Sequence, residues 1–147
     1  MPTAKKPSKL ENDPLWREVC DIAEYIYGKL PELPEEERWD SAVKLRHAAN
    51  DLMFSCSVAL GNASPSATEY DWGQVRKHIY GLKTIYRFAG RQKFIVLDPE
   101  IMVRLTSLTE QIDEKIVEAY KQTELHDRAD LEHWQKKYQL SMKANQS

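Results

Sequence analysis

Residues 13–31 read DPLWREVCDIAEYIYGKLP. Leu15, Trp16, Val19, Cys20, Ala23, Ile26, Tyr27 and Leu30 return at steps of three and four, which gathers them on one side of a helix. Asp13 offers a side-chain oxygen to the first free N–H groups, and Pro14 suits the first helical position because its fixed φ is already helical. Pro31 stops the pattern, since it brings no N–H to the ladder. A capped amphipathic helix bounded by proline is the unit from which an all-α chain is built.

The same unit recurs downstream. Pro34 opens a second helix over 35–62, about 42 Å long at 1.5 Å per residue. Glu35, Glu36 and Glu37 sit at its positive end, where the helix dipole favours acid. Trp39, Ala42, Val43, Ala49, Leu52, Met53, Cys56, Ala59 and Leu60 carry its apolar side. Gly61 and Asn62 end it, Pro65 discourages continuation, and Ser66 with Glu69 has capping-box spacing. A third helix then runs to about Ala89, with Gly90 as its C-terminal stop. Asp98–Pro99 repeats the opening device, and Ile101, Leu105, Leu108, Ile112 and Ile116 form the seam of a fourth helix. Lys93–Leu97 (KFIVL) is short and apolar, but lacks a second strand to pair with, and reads as a connector over the bundle end. Short connections make neighbouring helices antiparallel, so residues 13–121 are expected to form an antiparallel up-and-down four-helix bundle. Residues 1–12, with Lys5, Lys6 and Lys9, read as a disordered basic arm, and 122–147 as a helical C-terminal extension or a continuation of the fourth helix, its end disordered.

Of 147 residues, 41% are hydrophobic and 30% charged, with a net charge of −2. That is a globular composition with a heavily charged surface, and it gives no global attraction to a polyanion. No apolar run approaches the roughly 20 residues that span a bilayer, and the N-terminus lacks a secretory h-region, so a cytoplasmic location is expected. Cys20 and Cys56, inside apolar helical patterns, read as buried reduced thiols.

Local charge is less even. From Trp72 to Leu97 the chain holds Arg76, Lys77, Lys83, Arg87, Arg91 and Lys93 and no Asp or Glu, among 23 acids in the whole sequence. On a helix, Arg76, Tyr80, Lys83, Arg87 and Arg91 fall in one stripe, whereas Val75, Ile79, Leu82, Ile85 and Ala89 occupy another arc. A basic ridge with an aromatic ring suits a phosphate backbone and an unpaired base. The candidate nucleic-acid-binding residues are therefore Arg76, Lys77, Tyr80, Lys83, Arg87, Arg91 and Lys93. The competing reading is an ordinary charged face answered by acids of a neighbouring helix, with Glu18, Asp21 and Glu24 as partners.

Other constellations are weaker. His126, Asp130 and His133 share a helix side at spacings open to a metal, but lack a complete ligand set. His78 reads as a core histidine and His47 as a surface one. The chain lacks a Gly-x-Ser-x-Gly elbow, a phosphate-cradling glycine loop and bundle-facing Glu-x-x-His pairs, so neither an enzyme nor a bound cofactor is expected. Trp16, Trp39 and Trp72 fit the bundle core or its edges. Leu131, Trp134 and Tyr138 lie on the extension and read as a partner-binding element.

One segment is more specific than periodicity. Residues 34–64, PEEERWDSAVKLRHAANDLMFSCSVALGNAS, resemble the second helix of a four-helix-bundle family. That family includes bacterial intervening-sequence proteins of large-subunit ribosomal RNA genes and accessory variability proteins of diversity-generating retroelements. Pro34, Glu37, Arg38, Trp39, Arg46, Ala48, Ala49, Ala59, Gly61 and Ser64 carry the likeness. Leu60 departs from it where many members have Glu, and Ser57 or its neighbour replaces a usual Asn. Helix order and loop placement extend the likeness over about 14–120. The resemblance implies a homo-oligomeric ring, commonly a pentamer, and in the retroelement branch a positive surface that binds nucleic acid and a reverse transcriptase. The expected function is thus a non-catalytic nucleic-acid-binding accessory subunit, for RNA or DNA, assisting a larger nucleic-acid enzyme. The alternative is a protein–protein interaction module with no nucleic-acid role.

Overall fold

The computed structural model describes residues 10–61 and 65–146, with the backbone alone for 65–67. The basic arm through residue 9 and the Ser66 half of the capping box therefore lie outside the described residues. Among the described residues the chain is all-helical, without strands: α1 Pro14–Lys29, α2 Ser41–Gly61, α3 Pro65–Arg91 and α4 Pro99–Asn145. None of these helices is long and apolar enough to cross a membrane.

Asp13 and Asp98 cap as their positions require. The Asp13 carboxylate accepts the N–H groups of Leu15 at 2.8 Å and Trp16 at 3.4 Å, and Asp98 accepts that of Glu100 at 2.9 Å. The preceding Leu10–Asn12 turn is tied down as well, because the Arg17 guanidinium donates to the Glu11 carbonyl at 2.8 Å.

The start of α2 differs from the sequence expectation. Glu35–Glu37 form a single 3-10 turn, and the α-helix begins only at Ser41. The cause is local. The Glu37 carboxylate accepts the Ser41 hydroxyl at 2.6 Å and its N–H at 3.3 Å, so it caps α2 from outside instead of filling the first turn. The helix is consequently about 31 Å long. Trp39 falls on this irregular link and is 85% exposed, so it is not a core residue.

Helix α3 packs extensively on both α2 and α4, and α1 lies mainly on α2. Their facing stripes fuse into one core, in which Val19, Ile22, Leu45, Leu52, Ile79, Leu82, Leu105 and Ile112 are fully buried. Cys56 joins this core and burial pushes its thiol up to about 12. Cys20 is only half-buried, contrary to the expectation, and burial followed by the nearby Glu24 and Asp21 raises its thiol pKa. His78 is also half-exposed instead of lying in the core. Tyr86 is fully buried and its hydroxyl accepts the Asp98 N–H at 2.9 Å while lying 3.5 Å from the Tyr25 hydroxyl. One phenol thus ties α1, α3 and the start of α4 together.

The α3–α4 corner reassigns two residues. Gly90 does not stop α3, which continues to Arg91. The left-handed residue is Lys93, at φ 62°. Its N–H donates to the Gly90 carbonyl and that of Phe94 to the Ala89 carbonyl, each at 3.0 Å, the pair of bonds that defines a Schellman cap. Gly90 serves close packing instead: a Cβ there would overlap Leu97, 2.6 Å from its Cδ2. Ile95 is buried beneath the corner while Val96 points into solvent.

The core ends at Ala119, but α4 runs 47 residues to Asn145, about 70 Å in all. The extension is thus a continuation of the fourth helix, one of the two forms open from the sequence, and is helical to Asn145. Beyond Thr123 every described residue is exposed.

The corner predicts opposite effects of two substitutions. Gly90→Ala should destabilise by roughly 1–3 kcal/mol, because Leu97 must move. Lys93→Gly should stabilise by about 1 kcal/mol through relief of left-handed strain. Chemical denaturation checks both; if Gly90 were the helix stop, the larger loss would come from its conformation and Lys93→Gly would gain nothing.

Candidate polyanion-binding face

Helix α3 turns Trp72, Val75, Ile79, Leu82, Tyr86 and Ala89 into the core. Burying that arc drives the opposite arc outward, and with it the cations. Arg76, Lys77, Tyr80, Arg87 and Arg91 are exposed, and Lys83 is half-buried. Lys93 is exposed at the Schellman corner, so its cation continues the ridge past the helix end.

The ridge divides into two electrostatic parts. Toward the α3 N-terminus, Arg76 Nε lies 2.7 Å from Asp113 Oδ1 on α4, and its guanidinium packs 5.2 Å from the centre of the Tyr80 ring. Lys83 Nζ donates to Thr106 Oγ1 at 3.1 Å. Lys77, Arg87, Arg91 and Lys93 have no carboxylate within ion-pair distance among the described residues. Of the seven sequence candidates, then, Arg76 is neutralised and four cations are left open.

The α1 acids do not answer this ridge. Glu18 takes a bidentate grip on Arg104 of α4, at 2.7 and 2.9 Å, with Asp21 at 3.8 Å from the same guanidinium. The hydrogen bond from Arg104 holds the Glu18 carboxyl below its ordinary pKa, outweighing the burial that would raise it. Acids of the α2 entry also border the open end. Glu37 and Asp40 line a groove of about 340 Å³ with Thr84, Phe88 and Gln92, but Glu37 is occupied by Ser41 and Asp40 by Lys44 at 2.8 Å. Phe88, exposed beside Arg91, was absent from the sequence candidates; its position off the core arc of α3 is the signal that marks it.

The extension presents Leu131, Trp134 and Tyr138 at 59%, 63% and 67% exposure. Lys137 Nζ sits 5.1 Å from the centre of the Trp134 ring. His126 pairs with Asp130 at 3.4 Å, and His133 instead contacts Trp134 edge-on. No group of three or more His, Cys, Asp or Glu converges on a metal position among the described residues.

No protein-family model and no curated protein matches this chain. Its chemistry must therefore be read from the arrangement of its own side chains.

The Glu18–Arg104 pair carries a pH prediction. A carboxyl with a lower pKa in the folded state binds fewer protons there than in the unfolded chain, so acid favours unfolding. The pair's stabilisation is complete above the unfolded Glu value, near 4.5, and is lost as pH falls through the depressed folded value. Thermal melts should show the wild type losing its advantage over Glu18→Gln between about pH 5 and pH 3. A constant gap across that range would remove Glu18 as the titrating group.

Proposed function

We propose that this chain is a non-catalytic binding subunit whose exposed, unpaired cations, Lys77, Arg87, Arg91 and Lys93, hold the phosphate backbone of RNA or DNA. The observation that carries the reading is the placement of exposed cations along one acid-free stretch, Trp72 to Leu97, most of them without a carboxylate partner among the described residues. Arg76, Arg104 and Arg128 each have a carboxylate within 2.9 Å, whereas Lys77, Arg87, Arg91 and Lys93 have none among the described residues. Surplus cations on a chain of net charge −2 keep their field for an external anion. Arg87 and Arg91 stand one turn apart, about 6 Å along the axis, so successive phosphates can be met by successive side chains. Tyr80 and Phe88 flank them as exposed rings on which an unpaired base can stack.

The scaffold in this reading is an antiparallel up-and-down bundle. Moving along α3 from Arg76 to Lys83 moves the α4 partner back from Asp113 to Thr106, which supports opposite directions for that pair. Likewise Tyr25 neighbours Tyr86, whose hydroxyl meets Asp98, while the earlier Glu18 meets the later Arg104. An accessory role beside a larger nucleic-acid enzyme, such as a reverse transcriptase, follows from the family resemblance alone. Ring assembly is not required for it. Leu131, Trp134 and Tyr138 favour a second reading, a protein-docking module, because they expose apolar surface that a phosphate backbone does not use.

Fluorescence anisotropy with a labelled single-stranded RNA tests the first reading. With three or four phosphate contacts, log affinity should fall against log salt with a slope of about −2 to −3. Reversing charge at Arg87, Arg91 and Lys93 together should abolish binding, and Arg76→Gln should cost little because Asp113 already holds that charge. Affinity that survives the triple reversal would remove the ridge as the site.

A further inference from the structure

Past the core, α4 continues for more than six turns, with Glu69 at the start of α3 beside it as far as Leu131, although most helical stability comes from packing an apolar face. Leu125 and Leu140 stand apart, but four of its exposed apolar residues share one side. Leu131, Trp134, Tyr138 and Met142 follow at steps of three, four and four, which places them on one stripe. The charges beside that stripe are segregated along the axis. Residues 124–132 hold Glu124, Asp127, Asp130 and Glu132 against Arg128 alone, whereas 133–145 hold Lys136, Lys137 and Lys143 and no acid.

A helix that is acidic in its first half and basic in its second complements a copy of itself only when the two run in opposite directions. In parallel, acid meets acid and base meets base. We propose that residues 124–145 form an antiparallel two-stranded coiled coil with the same segment of a second copy of this chain. Taking Leu131 and Trp134 as the central a and d positions, Leu131 of one copy packs on Trp134 of the other. Asp130 of one copy then faces Lys137 of the other, twice by symmetry. The seam is apolar only at its centre: Asp127 comes opposite the Tyr138 hydroxyl of the other copy, which can donate to its carboxylate, Glu124 comes opposite Ser141, and Met142 borders the seam. Four aromatic side chains still about two-thirds exposed, with Leu131 and Met142, bring the buried area to the order of 1,000 Å², the least a specific interface needs. This pairing is independent of the α3 face and goes beyond the binding function proposed for it.

Light scattering on the full chain at tens of micromolar tests it. The wild type should show a mass that is at least twice the 17.1 kDa of one chain, and Leu131→Glu with Trp134→Glu should halve that mass while circular dichroism of the bundle persists. Asp130→Lys alone and Lys137→Glu alone should each weaken association at least tenfold, because each places two like-charge contacts in the pair. An equimolar mixture of those two variants should recover it, since every contact across a mixed antiparallel pair is again opposite in sign. A wild type that stays monomeric, a mass insensitive to Leu131→Glu with Trp134→Glu, or a mixture no tighter than its components overturns the proposal. RNA binding by α3 is read separately, at protein concentrations below association, so the two ideas fail independently.

Discussion

Helix α3 can bury only one arc. Trp72, Val75, Ile79, Leu82, Tyr86 and Ala89 are all at or near zero exposure, and their removal from water against α2 and α4 is the interaction on which the rest of the molecule depends. Each of these positions fixes the direction of the residues one step away. Because the inward set is apolar and the segment contains no acid, the outward set is a line of cations. The basic ridge is thus a consequence of core packing, and it cannot rotate away without burying charge.

What the bundle does with those cations differs along the ridge. Where α4 lies alongside, at Asp113 and Thr106, the fold supplies partners. Beyond that overlap the acids at the α4 start are engaged elsewhere, Asp98 in capping the helix and Glu100 beside Arg104. Arg87, Arg91 and Lys93 therefore stand where the two helices part. The Schellman turn at Lys93 adds to this: a lysine accepts the left-handed conformation that glycine would adopt more easily, and its charge stays at the corner.

Much of this fold was legible in the sequence because helical periodicity and proline-flanked caps are local signals. The seams of α1 and α4, and both Asp–Pro starts, needed only neighbouring residues to be read. The misreadings came where a local signal has two physical outcomes. Three glutamates after Pro34 fit a first helical turn, and equally fit a 3-10 turn whose last carboxylate caps the helix from outside. Gly90 before a loop fits a helix stop, and equally fits a contact with a side chain seven residues on, Leu97. Choosing between such outcomes needs the third dimension. The same holds for the ridge. Its cations and their stripe were legible, but their partners were not, since Asp113 is 37 positions from Arg76 and nothing local distinguishes it from Glu18 or Asp21.

The extension shows a different limit. After Pro99 the chain contains neither glycine nor proline, so no residue imposes an end on α4, and the helix outlasts the core that supports it. A helix without a break is a stiff arm and transmits position. Residues 120–145 span about 38 Å, and whatever grips Trp134 is held at that reach from the bundle. In an antiparallel pair the two arms overlap, and the two bundles stand at opposite ends with their α3 ridges rigidly related. Were both proposals met, two basic faces on one stiff support would stand ready for a single long polyanion, and a second contact made intramolecular raises avidity without any new residue at either face. The arm and the ridge, built from separate stretches of sequence, are in that arrangement parts of one binding device.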